Sequence, residues 1–396
     1  MFSSCASLKY IAIPDRTQLI KSSAFANCYN LEKATIPNSV TEISNYAFNY
    51  CYNLKYVKIP NSVTFIATGA FQYCYNLDNV EIPSGCQWLT EAFSYCYSLK
   101  SVKLPSTLSS STSSPSYSFR VCISLENITL PDNVTNIGAS MFADCSSLKE
   151  ITIPNNVTSI DQYAFSNCAS LRNVTFSTSL TTIERSTFYN CNSLKNFTIP
   201  STVTTIGDSA FYGCVSITEA TIPSSVTSIG QNLFYSCTYL KKVVINAQVT
   251  TITKNMFYYC SSLNEITLPS TITAIDQTAF QNCTSLYEIT IPENVTTIGS
   301  SAFSGCNRLQ SVTLPSTLTS IGNSCFASCT YLKECFFKGT TPPTLGTTPI
   351  PTNSGLVIYV PYSADHSVLN AYTANSSWSS YTSYLQEYDY DGTAGA

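Results

Sequence analysis

Apolar and polar positions repeat along this chain with one period from end to end. The stretch Cys283–Gly305, CTSLYEITIPENVTTIGSSAFSG, shows the unit, and Cys306 begins it again. As a rule it reads C-x-x-L-x-x-[IV]-x-[IL]-P-x-x-[VL]-T-x-I-x-x-x-[AS]-F-x-x, a period of 23 residues. Fifteen cysteines keep the phase: Cys5, Cys28, Cys51, Cys74, Cys96, Cys122, Cys145, Cys168, Cys191, Cys214, Cys237, Cys260, Cys283, Cys306 and Cys329. Every gap is 23 residues except 22 before Cys96 and 26 before Cys122. A Phe stands three residues before each of them and a Leu three after, with Ile217 the one exception. A period of this size marks a solenoid, in which one unit cannot bury its apolar face alone and neighbours must stack.

The spacing within a unit predicts its elements. Leu286, Ile289 and Ile291 alternate with Glu288 and Thr290, which is the two-residue period of a short strand with one buried face. Pro292 has no N–H to donate and ends that ladder. Val295–Ile298 supplies a second short extended piece, and Gly299 or its equivalents are expected to allow the corner. Ser301–Phe303 reads as a tight helical or 3₁₀ turn with Phe303 pointing inward. Stacked in register, such units form a parallel sheet with strands roughly 4.8 Å apart.

The pattern L-x-x-[IV]-x-[IL]-P-x-x-[VL]-T-x-I-x-x-x-A-F-x-x-C resembles the BspA-like (treponemal-type) class of leucine-rich repeat, over residues 1 to about 338. The resemblance implies a leucine-rich repeat solenoid of about 15 repeats. Such a solenoid is a curved right-handed coil with a parallel β-sheet on the concave face and short β or 3₁₀ turns on the convex side. It implies a secreted or surface-displayed protein of oral or gut anaerobes, or of mucosal protists, of a kind linked to adhesion to host matrix proteins and other microbes. A fold does not dictate a function, so this inheritance is associational.

Composition narrows the picture. Of 396 residues only 11% are charged and the formal net charge is −4, so there is no basic footprint for nucleic acid. No apolar run approaches the ~18 residues of a membrane span, and no signal peptide is read. Met1–Cys5 begins halfway through a repeat, so an N-terminal cap is expected to be missing. The unbroken period gives one elongated domain, residues 1–338, followed by a C-terminal cap and tail, 339–396. In that cap Gly355–Pro361 reads as a strand, and Ser363 opens an amphipathic helix with Val368, Leu369 and Tyr372 on one face. Trp378 and Tyr381 follow it.

Eighteen cysteines invite redox or metal chemistry, but the clustered C-x-x-C spacing of a metal site is absent. Fifteen hold the phase position, and Cys86, Cys325 and Cys335 replace buried Val, Ala and Ile of the repeat. Buried free thiols packing as small hydrophobes are expected. No cofactor or metal is called for. His366 is the only histidine and lies beyond the repeats, which excludes His-dependent triads and zinc sites within the array. Glu265 and Glu288, one repeat apart, look like a carboxylate pair, yet they stand on an exposed face with Lys242 nearby, and the chain does not read as an enzyme. Glu387–Gly392 echoes the start of a calcium loop without its later ligand. N-x-[ST] matches such as Asn133–Thr135 and Asn294–Thr296 are by-products of the repeat.

Candidate recognition residues are the tyrosines that flank successive phase cysteines: Tyr29, Tyr50, Tyr52, Tyr73, Tyr75, Tyr95 and Tyr97. Stacking should place them in two adjacent columns, and Tyr combines large contact area with low entropy cost and a polar tip. An irregularity follows at residues 83–119, where Ser109–Pro115 replaces the second strand and could form a loop beside the columns. The outward strand positions give a second surface. Thr129, Thr152, Thr175, Thr198, Thr221, Thr267, Thr290 and Thr313 form one column, interrupted by Val244. Asn127, Glu150, Asn173, Asn196, Glu219, Lys242, Glu265 and Glu288 form the next. Lys33, Lys55, Lys58, Lys100 and Lys103 make the same face more positive toward the start. Thr suits a strand through β-branching alone, and a single Thr column on a curved sheet argues against ice binding. The reading is a non-enzymatic, monomeric, extracellular or cell-surface protein that binds a protein or glycan ligand, with no nucleic acid and no membrane span. An intracellular interaction scaffold or a structural spacer is the alternative.

Overall fold

The computed structural model describes residues 2–89, 91–107, 116–195, 197–390 and 392. The chain divides into two compact units, Met1–Cys214 and Val215–Ala396, each a parallel-stranded solenoid with one turn per repeat.

In the first unit the Leu-x-x-Ile segments form one wall. Tyr10–Ala12, Lys33–Thr35 and Tyr56–Lys58 pair in parallel, as do Asn79–Glu81, Ser101–Lys103 and Asn127–Thr129, and Glu150–Thr152 pairs with Asn173–Thr175. The register is one repeat throughout, for example Ile151 opposite Val174. The Val-Thr-x-Ile segments form a second wall of two-residue strands, such as Leu19–Ile20, Glu42–Ile43 and Phe65–Ile66. Its Thr is explained by a hydroxyl ladder: Thr181 Oγ1 donates to Thr158 O at 3.0 Å and Thr204 Oγ1 to Thr181 O at 3.3 Å. The second unit repeats both walls, from Glu219–Ile222, Lys242–Ile245 and Glu265–Thr267 to Glu288–Thr290, Ser311–Leu314 and Glu334–Phe337.

The third side corrects the expected 3₁₀ turn. The segment through Phe303 is a series of β-turns whose N–H groups alternate between two destinations. Ala302, Ser304 and Cys306 bond back to Gly299, Ser301 and Phe303, while Ser301, Phe303 and Gly305 donate to Asn323, Cys325 and Ala327 in the next repeat. A helix would keep all these bonds local; the alternation instead ties each turn to its neighbour and satisfies the buried backbone. The alternation requires left-handed backbone at Ser301 (φ 55) and Gly305 (φ 77). Gly299, expected to supply the corner's freedom, is not in that region. It packs closely on the preceding repeat, where a Cβ would meet the backbone N of Gln277.

The phenylalanines fill the core. Phe25, Phe48, Phe71, Phe93, Phe119, Phe142, Phe165, Phe188 and Phe211 stack in the first unit, with neighbouring centroids 5.1 to 6.0 Å apart. The widest step is Phe93–Phe119, where three residues are inserted. Phe234 to Phe326 do the same in the second unit. Offset ring stacking is worth roughly 0.5–1.5 kcal/mol per pair beyond burial. Toward the end of the first unit Phe197 takes a strand slot filled in most repeats by Ile or Val, and stacks on Phe211 at 4.8 Å. Phe197 is half-buried there and lies outside any strand.

The second unit ends in two further strands, Val357–Pro361 and Leu385–Tyr388, which continue the Leu-x-x-Ile wall. The expected helix is Ser367–Ala374, with Val368 and Tyr372 buried and Leu369 half-buried. Trp378 Nε1 donates to Pro343 O and Tyr372 Oη to Gly339 O, both at 2.8 Å, and the two rings meet edge-on at 4.8 Å. Each anchors the 339–343 loop over Phe337, which Trp378 contacts at 4.9 Å. No helix among the described residues is long and apolar enough to cross a membrane.

Candidate functional site

The phase cysteine fixes where its neighbours point. Thiols at the phase position donate to the carbonyl of the previous repeat's Phe, as Cys51 Sγ does to Phe25 O (3.2 Å) and Cys74 Sγ to Phe48 O (3.3 Å). The residues before and after the cysteine must therefore face outward. All eighteen cysteines are free thiols and all but Cys5 are buried. Burial pushes the thiols of Cys51, Cys168 and Cys329 up, the last to about 12, which favours their protonated form.

The seven predicted tyrosines come together in two columns in the first unit. Tyr50, Tyr73 and Tyr95 stack with centroids 4.5 Å apart. Tyr29, Tyr52, Tyr75 and Tyr97 stack at 5.2, 4.6 and 4.5 Å. Across the columns Tyr50 meets Tyr52 at 87° and Tyr73 meets Tyr75 at 85°. Parallel rings in van der Waals contact lie about 3.5 Å apart, so a 4.5 Å centroid step tilts the normal of each ring about 40° from the column axis. Two columns tilted in opposite senses give the near-perpendicular angles observed, a herringbone. Tyr29 is exposed and the other six are half-buried. Burial, then the neighbouring phenols, raises the Tyr52, Tyr73 and Tyr75 hydroxyls above the usual tyrosine value, so these three stay protonated.

Two features frame the columns. Asn30, Asn53 and Asn76 run beside them, Asn53 Nδ2 donating to Asn30 Oδ1 (3.2 Å) and Asn76 Nδ2 to Asn53 Oδ1 (3.0 Å). The guanidinium of Arg120 covers the far end, 5.9 Å from the Tyr95 centroid and 4.0 Å from Asp144. Tyr50, Tyr73 and Tyr95 are all left-handed, with φ of 61, 63 and 62. The same slot holds Asn27, Asn167, Asn190, Asn282, Gly213 and Gly305, residues that adopt this conformation readily. An aromatic there opposes the local backbone preference, which stacking offsets. The predicted loop at Ser109–Pro115 lies outside the described residues.

The strand face is placed as expected, with Thr129, Thr152, Thr175, Thr198, Thr221, Thr267 and Thr290 exposed and Thr313 half-buried. Asn127, Glu150, Asn173, Glu219, Lys242, Glu265 and Glu288 are exposed beside them, as are Lys33, Lys55, Lys58, Lys100 and Lys103; Asn196 lies outside the described residues. Glu265 and Glu288 are not joined as a carboxylate pair. The strand ladder breaks between them, and Glu265 binds Lys242 at 3.0 Å. Both line a shallow cavity of about 530 Å³ with Thr267 and Thr290. The sequence reading passed over Tyr10 and Tyr56, which stand on the strand face of the first unit, 63% and 53% exposed. It also passed over the stacked pairs Tyr189–Tyr212 (4.6 Å) and Tyr235–Tyr258 (4.5 Å). Their signal was a Tyr two residues before successive phase cysteines.

The family described as BspA type leucine rich repeat region matches this chain in six copies, over residues 1–115, 112–241 and 204–333. A leucine-rich repeat protein from Bacteroides ovatus ATCC 8483 is similar at 31% identity, covering 83% of this chain and 86% of that one, with a TM-score of 0.75. A leucine rich cell surface protein from Faecalibacterium prausnitzii A2-165 is 29% identical over 84% of this chain and 79% of that one, TM-score 0.42. A leucine-rich repeat protein from Eubacterium ventriosum ATCC 27560 is 25% identical over 81% and 88%, TM-score 0.48. No curated protein matches.

Proposed function

This chain belongs to the BspA-type leucine-rich repeat family, and from that premise we propose that it is a non-enzymatic recognition protein binding a protein or glycan at a cell surface or in the extracellular space. The observation that carries this reading is the double tyrosine column, Tyr29–Tyr52–Tyr75–Tyr97 beside Tyr50–Tyr73–Tyr95. Such a rigid aromatic array loses little entropy on binding, and it occupies backbone slots where Asn or Gly would fold more easily. In this reading residues 339–396 act as a cap that seals the last repeat, and the protein works as a monomer. Surface display is part of the proposal and rests on the resemblance carried by the repeat motif.

The test is a binding screen against purified matrix proteins and mucosal glycans. It compares the chain with a variant carrying Tyr50→Asn, Tyr52→Ser, Tyr73→Asn and Tyr75→Ser, once both are shown to fold. Binding lost in the variant supports the reading. Binding retained moves the site to the Thr, Glu and Lys positions of the strand face, and no binding by either protein overturns it. A second reading, an intracellular interaction scaffold, is favoured by eighteen free thiols without a disulfide. Immunolabelling of intact source cells separates the two.

A further inference from the structure

We propose that the tyrosine herringbone is a docking rail for a proline-rich segment in the polyproline II conformation, lying along the columns. This rests on the recognition role proposed above and names its ligand class.

Three properties of the surface point there. The first is period. A polyproline II helix advances about 9.3 Å per three-residue turn, and two steps of the Tyr50–Tyr73–Tyr95 column come to about 9 Å. Prolines at i and i+3 therefore meet equivalent rings on every second repeat, and the column Tyr29 to Tyr97 accommodates about a turn and a half.

The second is hydrogen-bond sense. Polyproline II makes no internal hydrogen bonds, so its carbonyls are open acceptors, and proline has no N–H to offer in return. The rail presents donors in the amides of Asn53 and Asn76, whose Nδ2 carries a second N–H beside the one given to the previous Asn, whereas the phenols of Tyr73 and Tyr75 are already hydrogen-bonded to Tyr50 and Tyr97 along the columns.

The third is shape and charge. Offset stacking leaves each ring showing an edge, a strip of face and a hydroxyl, a set of tilted steps into which a pyrrolidine ring fits. The stretches Asn27–Asn30, Tyr50–Asn53, Tyr73–Asn76 and Tyr95–Ser98 hold no charged residue, and the one cation over the columns, Arg120 at the Tyr95 end, stands beside Asp144, so the surface suits an uncharged proline-rich segment.

The experiment titrates the full chain with fluorescently labelled decaproline and, in parallel, with a Gly-Ser peptide of the same length. Both titrations are repeated with Tyr73→Asn, and melting curves confirm its fold. Asn occupies the same left-handed slot at Asn167, Asn190 and Asn282, so this variant removes the central ring without disturbing the backbone. Saturable decaproline binding that Tyr73→Asn weakens tenfold or more, with no binding of Gly-Ser, is the expected result. Equal binding of the two peptides, or an affinity unchanged in Tyr73→Asn, overturns the proposal. If decaproline does not bind but a matrix protein or glycan binds in a Tyr73-dependent manner, the polyproline inference falls and the recognition role stands. If nothing binds, both fall.

Discussion

The thiol of Cys168 donates to the carbonyl oxygen of Phe142 at 3.2 Å, across 26 residues of sequence. That same oxygen accepts the N–H of Cys145 from its own turn. One carbonyl thus closes a local turn and fastens the following repeat to it. Cysteine suits the slot because it is small, apolar and carries one weak donor.

The thiols should be almost unreactive in the folded chain. Of eighteen, only Cys5 is not buried. Alkylation under native conditions is expected to label Cys5 quickly and the others only as the protein opens, while denaturant exposes all of them. Mass spectrometry after timed quenching gives the count. Rapid native labelling of several repeats would contradict the hydrogen-bonded, protonated thiol column.

Stability should fall in mild alkali. The buried thiols have folded pKa values raised by burial, as at Cys51, Cys168 and Cys329, the last to about 12. Below the unfolded value of about 8.5 both states hold their protons and stability is at its full value. Above it the unfolded chain releases protons that the folded chain retains, and stability is lost by about 1.4 kcal/mol per pH unit for each thiol concerned. Denaturant midpoints should be flat to about pH 8 and then drop steeply. A midpoint unchanged at pH 10 would sink the idea.

Val121 should be replaceable to advantage. It sits at φ 60 in the slot that Asn167 and Gly213 fill elsewhere, and a β-branched side chain there is strained. Val121→Asn is expected to stabilise by about 1 kcal/mol, the usual left-handed penalty for a residue with a branched Cβ. A urea titration measures it; a lower midpoint for the variant refutes the strain.

The phenylalanine column and the C-terminal anchor should be costly to disturb. Phe165 is fully buried between Phe142 and Phe188, at 5.4 and 5.5 Å, so Phe165→Ala should cost about 3–5 kcal/mol through lost burial and a residual cavity. Trp378→Phe keeps an aromatic ring but strands the Pro343 carbonyl, and should cost about 1–3 kcal/mol. Both are read from denaturant midpoints, and effects below half these values would show that neighbouring repeats repack freely.

Much of this protein was written in its period. The repeat alone set which residues are buried, that strands such as Glu150–Thr152 and Asn173–Thr175 pair one repeat apart, and that seven tyrosines form two columns, because stacking identical units converts spacing in sequence into spacing in space. What the period could not carry was backbone conformation and the destination of each hydrogen bond. The turn at Ser301–Gly305 looked helical because its apolar spacing fits a tight turn, yet half of its N–H groups reach the next repeat. Whether those donors close a local ring or cross to a neighbour depends on a chain segment 23 residues away, which no local pattern contains. The same holds for the herringbone. The columns follow from register, but the opposed tilt of Tyr50 and Tyr52 is decided by ring contact in three dimensions, and on it depends what the surface can hold.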